Sequence, residues 1–442
     1  MLQEKKSKRS TLVVLLCTVV LLALVILLEN TMKPTHMLFT VLKKGAVYAV
    51  VAASMNLLNG FTGLFSLGQS GFMLLGAYTY AILTIPVAAR ESVYYIYQGS
   101  AINFSLPELF GGGAVGLVIG VLLALILSGI VAAAVAWLIG LPVLRLKSDY
   151  LAIATLGFGE IIRAVFQWDK LGPVTNGANA LKSFPTFSSF NIETAGFNLR
   201  LSTFVPFFLG AICIGVILLL INSTYGRAFK AIRDDEVAAE AMGINLSRHK
   251  RLAFCISSFF AGVGGGMFAN QAQAKTFTTA MTYEILLIVV IGGIGSISGS
   301  CIAAFLYVAA SEWWLRFLDT SVTFTSPADP RRIAFIVIYA VVVIGGAALL
   351  ILRDRKGENK RWKQIVTAVV ALALMGWLAM YLMGGSMTMP FLRNGFRMVV
   401  FSLVIMVVVL FFRRGLMGDK ELPDLFRRRK PAKAAKGGGS NG

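Results

Sequence analysis

Long apolar runs separated by short polar segments make up most of the chain. A run of about 20 apolar residues is what an α-helix needs to cross the hydrocarbon core of a bilayer. Runs of this kind lie at residues 11–28, 38–59, 64–85, 112–139, 150–168, 203–222, 252–270, 333–352, 364–383 and 396–412. One further run, 283–310, is interrupted at its centre by glycine and serine. The pattern therefore predicts an all-α, polytopic transmembrane helical bundle of about ten spans plus a broken or re-entrant segment.

The interrupted run at 283–310 admits two interpretations. Glycine reaches backbone angles that a helix forbids and serine can satisfy the freed polar groups, so a helix can break around Gly293 and Ser296 and return to the same face of the membrane. Alternatively, the run is one tilted helix with a packing face of small residues. The basic residues favour the break, because a single crossing would place the basic segment 353–363 outside.

Composition and charge agree with a membrane protein and set its orientation. Of the 442 residues, 57% are apolar and 14% are charged, whereas a soluble domain carries roughly 25% charged residues. The formal net charge is +20, but the basic residues fall mostly between apolar runs and at the two ends, as topology determinants do. We therefore expect no nucleic-acid partner and both termini in the cytoplasm. Lys43 and Lys44 depart from the rule, because they fall on the outer side.

The same pattern divides the chain into three parts. Residues 1–10 form a basic cytoplasmic N-terminus, and the following run is long for a cleaved signal and lacks a small-residue cleavage site, so we expect a retained span. Residues 11–412 form the transmembrane domain, with a cytoplasmic loop at 223–251. Residues 413–442 form a basic tail that we expect to be disordered and to rest on anionic membrane lipid.

Several polar residues lie where lipid offers them nothing to bind. Asn56, Asn59, Thr62 and Gln69 surround a glycine-rich interruption between two apolar runs. This interruption is either a tight hairpin or non-helical backbone at membrane depth, which persists only where protein or a water-filled cavity satisfies it. The second interpretation makes these four residues, with Gly293 and Ser296 of the interrupted run, candidates for lining a translocation path.

A charged pair lies inside the fifth apolar run. Glu160 and Arg163 stand three residues apart, a spacing that allows them to pair along one helix face. An ionisable residue inside a span is a functional candidate, so Glu160 joins the candidates for the path. The alternative is that Arg163 extends to the membrane surface and that the pair has no role in transport.

Sequence signatures of catalysis are missing from the chain. There is no HExxH motif, no nucleophile elbow and no phosphate-binding loop with its lysine. The four cysteines show no paired spacing and there are only two histidines. We therefore expect the chain to be no enzyme and to carry no metal, cofactor or ATP of its own.

The loop at 223–251 has internal organisation. It contains Glu236, Val237, Ala238, Ala239 and Glu240, followed by Gly243. Acidic residues suit the positive end of a helix dipole and glycine suits a helix C-terminus, so the pattern predicts a short cytoplasmic helix. This helix is either inserted into a groove of a partner or simply solvated.

Family resemblance begins at this loop. The spacing Val237-Ala238-Ala239-x-x-x-Gly243 resembles the EAA loop of ABC-importer permeases, although Val237 replaces the first acidic residue of that motif. Together with four further motifs, it makes the chain similar to the LivM-type permeases of high-affinity branched-chain amino acid importers. Those motifs are Gly63-Leu64-Phe65-Ser66-Leu67-Gly68-Gln69, Ser148-Asp149-Tyr150-Leu151-Ala152-Ile153-Ala154-Thr155-Leu156-Gly157, Tyr225-Gly226-Arg227-Ala228-Phe229-Lys230-Ala231-Ile232-Arg233 and Gly292-Gly293-Ile294-Gly295-Ser296.

The resemblance implies a bacterial inner-membrane subunit that moves leucine, isoleucine or valine into the cytoplasm. It also implies two ABC ATPase subunits that bind the ATP, a LivH-type sister permease and a periplasmic amino-acid-binding protein. Relatives also carry urea and other small polar solutes, so these remain alternatives. A proton-coupled secondary transporter, in which Glu160 carries the proton, is the rival from a different class. A membrane-embedded enzyme or scaffold is disfavoured by the missing catalytic clusters.

Overall fold

A computed structural model describes residues 22–31, 36–146, 148–194, 197–268 and 272–315, with short pieces at 323–324, 387–388, 399–400, 406, 415–418 and 421. These fall into two compact units, Met1–Trp313 with Val404–Gly442, and Trp314–Leu403. In the second unit the described residues form one antiparallel pair, Thr323–Phe324 with Met387–Thr388. The predicted spans at 333–352, 364–383 and 396–412 lie outside the described residues, apart from isolated positions in the last.

The larger unit is helical, with a short hairpin on one loop. Its helices are α1 (Leu22–Thr31), α2 (Met37–Asn56), α3 (Gln69–Thr84), α4 (Val87–Val93), α5 (Leu106–Leu109), α6 (Ala114–Val143), α7 (Ser148–Phe166), α8 (Gly172–Thr175), α9 (Phe204–Asn222), α10 (Thr224–Asp234), α11 (Glu236–Ala241), α12 (Leu246–Phe268), α13 (Thr279–Gly292) and α14 (Ile297–Ala309). The hairpin pairs β1 (Ile192–Thr194) with β2 (Phe197–Leu199). A short π-helical segment, Leu57–Phe61, continues α2 and is called the π-turn below.

Within the described residues, four helices are long and apolar enough to cross a membrane: Met37–Phe61, Ala114–Val143, Phe204–Asn222 and Leu246–Phe268. Tyr150–Phe166 with Asp169–Thr175 makes a fifth if this pair, bent by 61°, counts as one span. The chain is therefore a helical, multi-pass membrane protein, while the number of ten spans stays a prediction. The expected span 64–85 is wrong at its start, because α3 begins only at Gln69.

Glycines allow the central helices to approach each other closely. A Cβ on Gly76 of α3 would lie 1.9 Å from the carbonyl oxygen of Gly262 in α12. A Cβ on Gly265 would lie 2.0 Å from the carbonyl oxygen of Met73. Membrane helices pack through such small residues because lipid tails provide no hydrophobic drive for their association. Helices α3, α6 and α12 pack against one another and form a core of the larger unit.

The interrupted run is two helices, so the tilted-helix interpretation is wrong. Lys44 and Tyr48 of α2 contact the outer ends of the pair, with Lys44 Nζ 2.6 Å from Glu312 Oε1 and the Tyr48 hydroxyl 3.4 Å from Glu284 Oε2. Asn56, three turns further along α2, contacts the break itself. The pair α13 and α14 therefore folds back as a hairpin along α2, and the predicted break is confirmed.

The two exceptional lysines of α2 have partners in the protein. Lys44 pairs with Glu312, and Lys43 Nζ donates to Ser202 Oγ at 2.5 Å. The same hydroxyl donates to Glu29 Oε1, and the Glu29 carboxylate also accepts from the backbone N–H of Thr203 at 2.9 Å. Glu29 thus caps the N-terminus of α9. Both lysines are therefore paired within the protein.

Candidate functional site

Three of the seven predicted path residues, Asn56, Gly293 and Ser296, meet where α2 contacts the break between α13 and α14. Asn56 is fully buried, and its Nδ2 donates to the carbonyl oxygens of Gly293 at 3.1 Å and Ser296 at 2.9 Å, and to Ser300 Oγ at 2.8 Å. Its Oδ1 accepts from the backbone N–H of Gly295 at 2.9 Å. Asn56 therefore holds the backbone of the break in place. Both polar atoms of its side chain are hydrogen-bonded within the protein.

The break has a conformation that requires glycine. Gly293 has φ 116° and Gly295 has φ 97°, both in the region that side chains disfavour. Ser296 then begins α14, where its hydroxyl accepts from the backbone N–H of Gly299 at 3.1 Å. Gly293 and Ser296 thus belong to one turn, as the sequence predicted.

The glycine-rich stretch between α2 and α3 is non-helical from residue 62 to 68. Thr62 Oγ1 donates to the carbonyl oxygen of Leu57 at 3.1 Å, and Gln69 Nε2 donates to Ser54 Oγ at 2.7 Å. Asn59 Oδ1 accepts from the backbone N–H of Ser66 at 3.1 Å. Its Nδ2 is buried and has no hydrogen-bond partner among the described residues. Asn59 is therefore the path candidate with a donor still to satisfy.

Glu160 and Arg163 form the predicted ion pair on α7. Arg163 Nε donates to Glu160 Oε2 at 2.7 Å, and each side chain is about one-third exposed, at 32% for Arg163 and 33% for Glu160. None of the described hydrogen bonds joins this pair to the residues around Asn56. The structure therefore brings Asn56, Gly293 and Ser296 together, while Glu160 pairs with Arg163 and makes no described hydrogen bond to them.

The cytoplasmic loop contains the predicted short helix. Asp235 Oδ1 accepts from the backbone N–H groups of Val237 at 2.9 Å and Ala238 at 3.1 Å, which caps the N-terminus of α11. Gly243 has φ 84°, and its backbone N–H donates to the carbonyl oxygen of Glu240 at 2.9 Å, which ends the helix. Both ends of α11 are thus made by residues within the loop.

The outward face of α11 is apolar. Val237 is 78% exposed and Met242 is 83% exposed, and Ala238 and Ala241 are exposed beside them. Ala239 is only 3% exposed, so it packs against its own chain. Among the loop residues that resemble the EAA motif, Ala239 thus faces inward, and its part in coupling to an ATPase stays a prediction. We call Val237, Ala238, Ala241 and Met242 the exposed loop surface.

The loop also contacts the region around the break. Arg233 Nη1, at the end of α10, donates to the carbonyl oxygen of Gly60 at 3.0 Å. A Cβ on Gly60 would lie 2.6 Å from the backbone nitrogen of Gly295. The π-turn therefore touches both α10 and the break.

Sequence reasoning missed the contribution of the C-terminal segment. Glu421 accepts from the backbone N–H groups of Ile297 and Ser298, at the start of α14. The turn Gly415–Gly418 donates from Leu416 and Met417 to the end of α13. At these positions the tail 413–442 departs from the expectation of disorder. The glycines of the turn were the available signal, although nothing in their spacing indicates which helix they contact.

No metal site emerges among the residues that the structure describes, where no three His, Cys, Asp or Glu side chains cluster.

Comparisons with known proteins agree on one family. Residues 37–352 match the family model described as branched-chain amino acid transport system / permease component. The chain is 33% identical over 299 residues to the high-affinity branched-chain amino acid transport system permease protein LivM of Salmonella typhimurium, and 32% identical to that of Escherichia coli. Each match covers 62% of this chain and 63% of the relative, so the chain spans less than two thirds of their length.

A second kind of relative is also similar. The chain is 26% identical over 239 residues to the probable branched-chain amino acid transport permease protein LivH of Methanocaldococcus jannaschii, covering 52% of this chain and 71% of the relative. No solved structure matches the chain.

Proposed function

The chain belongs to the family of branched-chain amino acid transport system permease components, and from this premise we propose that it is the membrane-spanning permease subunit of an ABC importer. It moves leucine, isoleucine and valine into the cytoplasm. ATP is bound and hydrolysed on two separate ATPase subunits, so this chain needs neither a catalytic centre nor a cofactor. The similarity to both LivM and LivH proteins supports pairing with a LivH-type sister permease.

The exposed loop surface is the observation that carries the proposal. Three apolar side chains of the six-residue helix α11, together with Met242 directly after it, face outward from the cytoplasmic loop. Burying Val237 and Met242 in a partner would remove most of their apolar area from water, which is worth about 25 cal/mol per Å². Because both ends of α11 are capped within the loop, the helix is already formed before a partner binds. These features suit docking of α11 into an ATPase groove.

The proposed path runs past Asn56, Asn59, Thr62, Gln69, Gly293 and Ser296, with Glu160 as a further candidate. A zwitterionic amino acid sheds water from its charged groups as it passes, and an unpaired polar group in an apolar environment is costly. The unpaired Nδ2 of Asn59 supports a role as donor to the carboxylate of the passing amino acid. The other residues hold the backbone that would form the wall.

The orientation follows from the charges. The basic termini and the loop at 223–251 lie in the cytoplasm, in the inner membrane of a bacterium, and a periplasmic protein delivers the amino acid to the opposite face. The hairpin of α13 and α14 then has both outer ends on the periplasmic side. Thiol labelling of Lys275→Cys and Trp313→Cys in a chain without native cysteines tests this. Labelling from opposite faces would contradict it.

Uptake by the assembled importer tests the function. The chain is purified with the sister permease and ATPases, reconstituted in proteoliposomes and supplied with the binding protein and labelled leucine. We expect isoleucine and valine to compete with leucine, and urea to have no effect. Competition by urea but not by valine would assign the importer to another solute.

A further inference from the structure

The break between α13 and α14 leaves many backbone groups to satisfy. A helix end leaves up to four N–H or C=O groups without partners within the helix. In a membrane protein each such group needs a partner in the protein or in a water-filled cavity. Asn56 serves the turn itself, through Gly293, Gly295 and Ser296. Ser296 serves the backbone N–H of Gly299 at the start of α14, and the other backbone groups of the two helix ends need further partners.

The C-terminal segment supplies those partners. The backbone N–H of Leu416 donates to the carbonyl oxygen of Ile291 at 2.7 Å, and that of Met417 donates to Gly292 at 3.2 Å. Glu421 Oε1 accepts from the backbone N–H of Ile297 at 2.8 Å. Leu416 and Met417 thus bind the end of one helix, and Glu421 binds the start of the next, across the break.

Glu421 makes the strongest of these contacts. Its Oε2 accepts from the backbone N–H of Ser298 at 3.0 Å and from Ser298 Oγ at 2.5 Å. A carboxylate at a helix N-terminus gains from both charge-assisted hydrogen bonds and the helix dipole. More than 120 residues separate it from the helix that it caps, whereas helix caps are usually provided by the residue just before the helix.

Close packing reinforces the contact. A Cβ on Gly415 would lie 2.6 Å from the carbonyl oxygen of Val290 and 2.7 Å from the Cα of Gly293. A Cβ on Gly299 would lie 3.1 Å from the Cβ of Met417. The segment therefore lies against the backbone of the break on both sides, with no room for a side chain between them.

We infer that Glu421 is a positioning residue for transport: by capping α14 it holds the break in the conformation that places Gly293 and Ser296 in the wall of the path. The inference rests on the proposed function. When the carboxylate is removed, the N–H groups of Ile297 and Ser298 lose their partners and the start of α14 loosens. ATP hydrolysis then continues, but fewer amino acids cross for each ATP hydrolysed.

The test compares Glu421→Ala and Glu421→Gln with the wild-type chain in the reconstituted importer. The readout is the ratio of leucine uptake to ATP hydrolysis. Because two charge-assisted hydrogen bonds to backbone are lost, we expect Glu421→Ala to lower this ratio roughly tenfold. Glu421→Gln keeps one acceptor oxygen, and we expect a smaller fall.

A matched control is available at Glu29, whose carboxylate caps α9 in the same way at a distance from the break. Glu29→Ala removes a comparable set of hydrogen bonds, so it lowers the Tm while leaving the ratio of uptake to hydrolysis unchanged. A general loss of stability would instead lower uptake and hydrolysis together in both variants.

A second readout is independent of transport. Cys301 lies in the second turn of α14, and a chain in which Cys17, Cys213 and Cys255 are replaced by alanine keeps it as the single thiol. We expect Glu421→Ala to raise the rate of modification of Cys301 by N-ethylmaleimide several-fold above that in Glu421→Gln, which removes the same charge but keeps one acceptor oxygen, and Glu29→Ala to leave the wild-type rate unchanged. Unchanged modification and an unchanged ratio in Glu421→Ala would overturn the inference. Absence of ATP-driven uptake in the wild-type importer would overturn the proposed function, and Cys301 would still report on Glu421.

Discussion

The break between α13 and α14 and the cytoplasmic loop around α11 use the same devices in opposite ways. In each, a glycine with positive φ ends a helix and a side-chain oxygen caps the N-terminus of a helix. At α11 the residue directly before the helix, Asp235, is its only described side-chain cap, whereas at the break the local cap, Ser296, is joined by Asn56 and Glu421 from distant parts of the chain. The loop is thus a self-contained helix that presents an apolar surface. The break depends on the whole unit for its shape.

The difference between a locally capped helix and a break held by distant residues suits the two regions to different roles. A surface that binds another subunit benefits from being formed in advance, because ordering it costs nothing at the moment of binding. A backbone turn that lines the proposed path has to keep its conformation during transport. The contact of Arg233 with Gly60, beside Gly295, gives the loop a physical connection to the turn.

The largest effect on stability and transport is expected from replacing Asn56 at the break. Asn56→Leu removes every hydrogen bond that this side chain makes to the break and leaves buried backbone groups unpaired, at about 1–3 kcal/mol each. We expect the Tm of the purified chain to fall by several degrees and uptake to be lost. Asn222→Leu, at an exposed asparagine of α9, is the control and should leave both unchanged. An unchanged Tm in Asn56→Leu would show that the break holds its shape without it.

The exposed loop surface predicts a loss of binding without a loss of stability. Met242→Asp and Val237→Asp place a charge where an apolar contact is expected, and we expect at least a tenfold weaker pull-down of the ATPase, corresponding to about 1.4 kcal/mol. The Tm should not change, because both side chains lie in solvent. Ser247→Asp, exposed in the first turn of α12, is the matched control. Equal binding by all three variants would contradict the docking of α11.

Gly293 and Gly243, which each follow the end of a helix, are expected to differ in how much stability an alanine costs. Gly293 has φ 116° and ψ 123°, a region essentially restricted to glycine, so Gly293→Ala should cost about 1–3 kcal/mol of stability. Gly243 has φ 84° and nothing within 4 Å of an added Cβ, so Gly243→Ala should cost about 1–2 kcal/mol at most. Chemical denaturation of the two variants in detergent measures both. A larger loss of stability in Gly243→Ala than in Gly293→Ala would contradict the view that the break is the more constrained of the two regions.

The smallest effects are expected along the glycine-rich stretch. Asn59→Leu and Gln69→Leu each remove a polar group beside the proposed path, and a hydrogen bond contributes about 1 kcal/mol, so uptake should slow several-fold rather than stop. Binding of the ATPase should survive, because neither residue belongs to the exposed loop surface. If both single variants and the double variant transport leucine normally, the path lies elsewhere, and Glu160 on α7 is the next residue to test.

How much the sequence predicts follows from how local each feature is. The short helix α11 was predictable, because its cap, its acidic first turn and Gly243 lie within ten residues. The break was predictable from its glycines and serines, and the pairing of Glu160 with Arg163 from their spacing. The contact of Glu421 with α14 and the burial of Ala239 were not predictable, because a contact more than 120 residues away and packing against the rest of the chain leave no local pattern.

The most direct test of whether this chain belongs to an ATP-driven importer is to measure which energy source drives uptake. Wild-type importer is reconstituted with the binding protein, and the initial rate of labelled leucine uptake is measured with ATP, with ATPase subunits that bind but do not hydrolyse ATP, and with an uncoupler that collapses the proton gradient. We expect uptake to stop when hydrolysis stops, and we expect the uncoupler to have no effect on the initial rate. Uptake that continues without hydrolysis and disappears with the uncoupler would contradict it, and would indicate a proton-coupled carrier with Glu160 as the site of proton binding.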